Sequence, residues 1–316
     1  MLKKRGQGGF PTSSGMKKFW STAAMVAVAL LWGGAFSAQS AGLRHLPPLA
    51  FTATRLFVAA LALTVVAALF GIARRGKVQP RAGEVPPAAR KRLLTGGCWC
   101  GFVLAAACVT QQASLRYISA GKCGFLASLY IVIVPLLGLG FGRRTTAILW
   151  AAVALALAGS YLLCGGVSGV GRGELLILVC ALLSAVYILI VDHYAPTCDC
   201  VKLSCIQFFV AAAAAAVGSA LLRERWSLGG MVGAAPFLLY CGLGSSALAF
   251  TLQIAAQKYL HPVTASLLMS LESVFAVLGG WLFLGEALPA RELAGCAVIF
   301  AAVVLAQLPA RSRKRG

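Results

Sequence analysis

Charged side chains are scarce in this chain. Only 11% of its 316 residues are charged, and 8 residues in all are Asp or Glu. Hydrophobic residues make up 60% of the sequence, and the mean hydropathy is +0.87. A soluble globular protein of this length is less apolar, because its surface needs more charged groups. The composition therefore excludes a soluble globule and indicates a membrane protein.

The sequence also lacks the signatures of an intramembrane enzyme. It contains no HExxH, no GxSxG and no pair of aspartates within an apolar stretch. Its 3 histidines, His45, His193 and His261, lie near the ends of apolar stretches. Soluble domains and long loops, which a scaffold or receptor would need, are missing as well. An intramembrane enzyme and a non-transporting scaffold are therefore kept only as alternatives, and we expect no enzyme.

Apolar stretches of about 20 residues, the length that a helix needs to cross a bilayer, recur along the whole chain. They predict an all-α polytopic membrane protein of ten transmembrane helices. We number these spans 1 to 10, at residues 19–41, 48–70, 93–115, 118–140, 145–164, 174–192, 201–222, 234–256, 263–284 and 292–309. The alternation expected of a membrane β-barrel strand is missing from these stretches. The first span also resembles a secretory signal, with small residues at 38–40 as a cleavage site.

Most of the 28 lysines and arginines lie between these spans. Binding of nucleic acid requires basic residues clustered on a folded domain, so we expect no nucleic-acid partner. With the N-terminus in the cytoplasm, the larger share of the basic residues falls inside, including those of the N-terminal segment 1–18 and the tail 310–316. The positive-inside rule then predicts a multi-pass protein of the inner or plasma membrane with both termini cytoplasmic.

The 11 cysteines lie mostly within the spans, where Cys behaves as a small hydrophobic residue. Disulfides are therefore not the framework of this fold. Cys198 and Cys200, in the loop between spans 6 and 7, could in principle hold a metal. An ordinary loop with two thiols is the simpler interpretation, and we expect neither a metal site nor a cofactor.

An internal repeat divides the chain into two halves of five spans. Residues 111–142 align with residues 253–284, and a second alignment extends the repeat upstream. The paired positions are Gln111 with Gln253, Tyr130 with Glu272 and, upstream, Arg55 with Gln207. The predicted units are a first repeat at 19–164, a connecting loop at 165–173 and a second repeat at 174–309. An odd number of spans per half makes the repeat inverted, which is typical of secondary transporters.

Several segments carry a resemblance to a known family. They include "HLPPLAFTATRLFVAALAL", "SLRYISAGKCGFLASLYIVIVPLLGLGFGRR" and "LQIAAQKYLHPVTASLLMSLESVFAVLGGWLFLGEAL". With them the chain resembles the EamA-like branch of the drug/metabolite transporter superfamily. The resemblance implies ten helices in two inverted EamA repeats, a cavity built mainly from spans 1, 3, 4, 6, 8 and 9, and a carrier of small metabolites. Ser273 stands where the family usually has proline, which puts the kink of span 9 in question.

Two charged residues within the spans are the leading candidates for function. Glu272 lies near the middle of span 9, where a charge costs roughly 2.5–3.5 kcal/mol. A bound proton or a cationic partner would reduce this cost. Arg55, in span 2, either reaches to the membrane surface, pairs with Glu272 or contacts an anionic group of a substrate.

Aromatic and amide side chains in the other spans complete the candidate site. Amides inside a bilayer need partners and so point into the bundle or a cavity. These candidates are Trp32, Gln111, Tyr130, Tyr187, Gln207, Gln253 and Gln257. Interhelical hydrogen bonds without substrate contact are the alternative for each. The sequence predicts a secondary active transporter of amino acids, amines or related amphipathic solutes, directed outward, with protons as the candidate coupling ion.

Overall fold

The computed structural model describes residues 13–75, 87–140, 142, 145–164, 171–284 and 289–307, and within them the fold is all-helical, as predicted. In chain order these residues form α1 (Ser13–Gly42), α2 (Pro48–Arg75), α3 (Pro87–Ser114), α4 (Ala120–Ala127), α5 (Tyr130–Gly140), α6 (Ala147–Cys164), α7 (Arg172–Tyr194), α8 (Cys200–Leu221), α9 (Leu228–Leu239), a π-helical segment (Tyr240–Leu248), α10 (Ala249–Gln257), α11 (Pro262–Met269), α12 (Leu271–Leu284) and α13 (Ala290–Gln307). Most of the basic N-terminal segment and of the predicted connecting loop, and all of the tail 310–316, lie outside the described residues.

Seven helical stretches of the described chain are long and apolar enough to cross a membrane. They coincide with predicted spans 1 to 4 and 6 to 8. The other three predicted spans coincide with shorter apolar helices, at Ala147–Leu162, Pro262–Leu278 and Leu293–Ala306. An all-helical fold with seven candidate membrane spans among the described residues is therefore confirmed, while the number of ten crossings stays a prediction.

Prolines and polar caps determine where several helices begin. Pro48, Pro87 and Pro262 stand at the starts of α2, α3 and α11. There the missing N–H of proline removes no hydrogen bond within the helix. Asp199 caps α8, because its Oδ1 accepts a hydrogen bond of 3.0 Å from the backbone N–H of Lys202. These prolines and this cap fix the residues at which the helices begin.

The N-terminus of α2 is capped by a carboxylate from the second half of the chain. Glu224, in the turn after α8, accepts hydrogen bonds from the backbone N–H groups of Leu49 (3.3 Å) and Ala50 (2.8 Å). The hydroxyl of Ser219 donates to the same carboxylate at 3.0 Å. The first N–H groups of a helix have no partner within it, and its positive end favours an anion. Glu224 therefore ties the two halves together.

We expect Glu224→Ala to lower the free energy of unfolding by about 1–3 kcal/mol, because it leaves two helix N–H groups without their charged acceptor. Thermal unfolding of the detergent-purified protein measures this loss. Glu224→Gln is the matched control, since it keeps one acceptor oxygen and should lose less. Equal stability of Glu224→Ala and the wild type would contradict the capping role.

Predicted spans 4 and 9 are each broken near the middle, at equivalent positions of the repeat. The break separates α4 from α5 in the first half and α11 from α12 in the second. In each break a serine hydroxyl donates to the backbone carbonyl three residues earlier: Ser128 to Phe125 and Ser270 to Leu267, both at 2.7 Å. Such side-chain bonds compete with the helical hydrogen-bonding pattern. The two halves therefore share a local structure as well as a sequence pattern.

Span 9 is interrupted although position 273 is serine, where the family usually has proline. Ser273 lies within α12, after the break, and its hydroxyl finds no hydrogen-bond partner in the described structure. The helix is interrupted at Ser270 instead, three residues earlier. Proline at position 273 is therefore not needed for this helix to be discontinuous.

Equivalent helices of the two halves make equivalent contacts. Helix α1 packs against α10 and α12 of the second half, and its counterpart α7 packs against α3, α4 and α5 of the first. Helix α2 packs against its counterpart α8, and α6 against its counterpart α13. The largest cluster of buried apolar residues draws on both halves. The halves are thus interleaved around a common centre, and this centre holds the candidate site.

Candidate functional site

A cavity lies between the two halves. Its lining comes from α1, α2, α3, α4, α5, α7, the π-helical segment, α10, α11 and α12. Among the described lining residues none belongs to α6 or α13, which correspond to predicted spans 5 and 10 and are not among the spans that the resemblance implies for the cavity. Span 2, which was not among the spans expected to build the cavity, contributes Arg55.

Most of the lining consists of equivalent positions from the two halves. The pairs in which both members line the cavity include Ala35 with Tyr187, Phe36 with Ile188, Cys108 with Phe250, Gln111 with Gln253, Ala127 with Met269 and Tyr130 with Glu272. Since both members of each pair face one space, the cavity lies where the two halves meet symmetrically. Carriers built from two related halves place their substrate sites at such a position.

Glu272 and Tyr130, which the repeat alignment pairs, also contact each other. The hydroxyl of Tyr130 donates a hydrogen bond of 3.2 Å to Oε1 of Glu272, and both side chains are buried. Each residue lies in the first turn of the helix that follows a break, α5 for Tyr130 and α12 for Glu272. The breaks therefore place both polar groups at the cavity.

Aromatic rings form one wall of the cavity around Phe250. Its ring centroid lies 4.8 Å from that of Trp32 and 5.8 Å from that of Tyr187. Trp32 is fixed by a hydrogen bond of 2.9 Å from its Nε1 to the backbone carbonyl of Ser245. Aromatic rings in tilted and edge-on contact hold each other in place and present an apolar surface. This wall suits the apolar part of a small solute.

Arg55 enters the cavity from α2 and is held by the π-helical segment. Its Nη1 donates a hydrogen bond of 3.2 Å to Oγ of Ser246, and the residue is only 2% exposed. Gly242 lets this segment approach α2 closely, since a Cβ there would lie 3.0 Å from the carbonyl oxygen of Arg55. Short π-helical stretches are frequent at functional sites. The buried position and the bond to Ser246 exclude the alternative that Arg55 extends to the membrane surface in this structure.

Arg55 and Glu272 line the same cavity without direct pairing. The ion pair found within 4.0 Å in the described part of the chain joins Lys122 of α4 to Glu174 of α7. Glu272 instead accepts from Tyr130, and Arg55 donates to Ser246. Direct pairing of Arg55 with Glu272, one of the alternatives left open for Arg55, is thus not present in this structure.

The structure divides the predicted amide residues into two groups. Gln111 and Gln253 line the cavity, and Oε1 of Gln253 has no hydrogen-bond partner within the described residues. Gln207 and Gln257 lie behind the wall. Oε1 of Gln207 accepts from the hydroxyl of Tyr187 at 3.0 Å, and Nε2 of Gln257 donates to the carbonyl oxygen of Ile188 at 3.1 Å. For these two residues the geometry favours the alternative of interhelical hydrogen bonding.

Sequence reasoning missed several lining residues. Gln39 is buried in the lining, and its Oε1 has no partner in the described structure. The rule that found the other amides applies to Gln39 as well, although it lies close to the predicted end of span 1. Phe250 and Ser184 carry no comparable signal, because a phenylalanine or serine in an apolar helix more often packs against a neighbour than faces a cavity.

Comparisons with known proteins identify the family. A model of the EamA-like transporter family matches residues 19–165 and again residues 171–308. The chain belongs to this family. The two matches show two EamA repeats, and the resemblance drawn from the sequence is confirmed. Membership makes the protein a membrane transporter and favours transport over the enzyme and scaffold alternatives.

The chain is also similar to two individual proteins. A protein of Archaeoglobus fulgidus described as an uncharacterized transporter is 26% identical over 307 residues, which cover 96% of this chain and 89% of that protein. A solved crystal structure is 20% identical, with a TM-score of 0.70 over 91% of this chain and 96% of the other. At that identity the crystal structure supports the fold alone.

Proposed function

We propose that this EamA-like transporter is a secondary active carrier that exports a small amphipathic metabolite, such as an amino acid or an amine, across the cytoplasmic membrane. The proposed architecture is ten helices in two inverted repeats, at residues 19–164 and 174–309. The observation that carries the proposal is the cavity lined by equivalent residues of both repeats. Related halves can exchange conformations and so open such a cavity to either side in turn.

Glu272 is the proposed site of proton binding. Among the described lining residues Glu272 is the one carboxylic acid and Arg55 the one permanently cationic side chain. The other ionisable groups of the lining are Tyr130, Tyr187, Cys108 and Cys180. A carboxyl in an apolar cavity is costly when charged, so binding a proton or a cationic group of the solute is favourable there. The hydroxyl of Tyr130 can donate to the charged carboxylate and accept from the protonated form. Glu272 can therefore alternate between two states in one position.

Uptake into proteoliposomes tests the proposed function. The purified protein is reconstituted, and flux of a panel of amino acids, amines and carboxylates is measured with and without a pH gradient. The proposal predicts saturable flux of at least one class, stimulated by the gradient, and none in protein-free liposomes. The absence of both gradient-driven flux and solute exchange across the whole panel would contradict it.

The proposed topology has its own test. Reporter fusions after residues 92, 170 and 316 are expected to report cytoplasm, outside and cytoplasm, because basic segments are retained on the cytoplasmic side. Paired reporters, one active only inside and one only outside, give each position an internal control. A C-terminal reporter active outside would mean an odd number of crossings, and the proposal of two inverted five-helix repeats would then fail.

A further inference from the structure

We infer that Arg55 forms an anion subsite in the cavity and that the transported solute carries a carboxylate beside an apolar body. This inference rests on the proposed transport function and narrows its substrate class. Nη1 of Arg55 is occupied by Ser246, whereas Nε and Nη2 have no hydrogen-bond partner in the part of the chain that the structure describes.

The two free nitrogens of Arg55 have the geometry of a carboxylate receptor. In a planar guanidinium the N–H of Nε and one N–H of Nη2 point in the same direction. They match the two oxygens of a carboxylate and bind it through two parallel hydrogen bonds. The bond from Nη1 to Ser246 holds the plane of the group, and the edge formed by Nε and Nη2 has no hydrogen-bond partner among the described residues. The π-helical segment thus orients the guanidinium through Nη1 and does not bond to Nε or Nη2.

The charge of Arg55 also lacks a partner. The residue is only 2% exposed, and no ion pair to Glu272 or another described carboxylate lies within 4.0 Å. A buried charge without a counterion is unfavourable, and a bound anion removes this penalty. Lys122, by contrast, has its ion pair with Glu174 away from the cavity lining. Arg55 is therefore the cationic side chain whose missing counterion an anionic ligand can supply.

The rest of the lining selects the kind of anion. The cavity supplies one cationic side chain among its described residues, which suits a carboxylate better than a phosphate dianion. The rings of Trp32, Tyr187 and Phe250 line the same space and offer an apolar surface. A solute that joins a carboxylate to an apolar group can contact both Arg55 and these rings.

A series of three ligands of one shape tests this subsite. The purified full chain in nanodiscs is titrated with 3-phenylpropionate, with its neutral amide and with 3-phenylpropylamine, and binding is measured calorimetrically. We expect the carboxylate to bind about tenfold to a hundredfold more tightly than the amide, the range for hydrogen bonds to a charged group. Arg55→Gln should abolish this preference, and Arg55→Lys should weaken it, because lysine keeps the charge but loses the paired donors.

Lys258→Gln is the matched control, since Lys258 lies outside the lining and donates to the carbonyl oxygen of Cys198. It should keep the preference for the carboxylate. The subsite is overturned if the wild type binds the amide as well as the carboxylate, if it binds none of the three, or if Arg55→Gln keeps the preference. Should Arg55→Gln fail to fold, the wild-type series and Arg55→Lys decide. Binding that depends on Arg55 without any flux in proteoliposomes would instead overturn the proposed function and leave the subsite standing.

Discussion

Glu272→Gln is expected to insert and fold at near wild-type levels but to lose transport driven by a pH gradient. Glutamine keeps the shape of the side chain, and its amide oxygen can still accept the hydrogen bond from Tyr130. What it loses is the ability to bind and release a proton. Gradient-driven flux should therefore fall to the level of protein-free liposomes, while exchange of solute between the two sides continues.

Two further variants separate an ionisable role of Glu272 from a structural one. Glu272→Asp keeps the titratable group and displaces it by about one methylene, so it should retain partial gradient-driven activity. Glu224→Gln changes a carboxylate that caps α2 outside the cavity lining and should transport normally. Normal transport by Glu272→Gln at every pH tested would assign the residue to helix packing. Folded protein in the membrane, measured by gel filtration in detergent, is the control for each variant.

Gly33→Ala is expected to damage both stability and transport. Gly33, in α1, packs directly against α12. An added Cβ would lie 2.7 Å from Cβ of Phe275, 2.8 Å from the carbonyl oxygen of Glu272 and 2.9 Å from the backbone nitrogen of Ala276. Two of these three atoms belong to the backbone, so a helix has to move. Overpacking of this kind costs about 1–3 kcal/mol, and because the displaced helix carries Glu272, we expect slower transport as well.

Gly229→Ala is the matched control for this change. A Cβ at position 229, in α9, would meet nothing within 4 Å. Alanine is the better helix former by roughly 0.5–1 kcal/mol, so this variant should be as stable as the wild type or more so. Thermal unfolding of the two variants side by side measures the difference. If Gly33→Ala proved as stable as Gly229→Ala, the close packing of α1 on α12 would not be a determinant of the fold.

The helices could be predicted from the sequence because a membrane imposes their length and their apolar composition. Apolar composition also predicted the three shorter helices, at Ala147–Leu162, Pro262–Leu278 and Leu293–Ala306. The repeat alignment went further, since it paired Tyr130 with Glu272 before any contact between them was known. The structure brings these two side chains within 3.2 Å of each other. The alignment alone did not predict this contact, which depends on the two interleaved halves meeting at these positions.

The sequence could not decide which amides face the cavity. Gln253 and Gln257 are one helical turn apart in α10, yet Gln253 lines the cavity and Gln257 bonds to the backbone of α7. In a soluble protein an apolar face marks the buried side of a helix. Here the side toward lipid and the side toward neighbouring helices are equally apolar, so the pattern does not give the rotation of a helix about its axis.

The sequence by itself determined the class of the molecule: an all-helical membrane protein with an internal repeat and two charged residues inside its spans. The tertiary structure alone decided that Arg55 and Glu272 share a cavity without pairing, that Phe250 centres the aromatic wall, and that a π-helical segment binds Arg55 through Ser246. Composition and length follow from the solvent that surrounds a helix, which is the same all along a membrane protein. The contacts of one side chain follow from the rotation and offset of packed helices, and these are fixed only when the helices assemble.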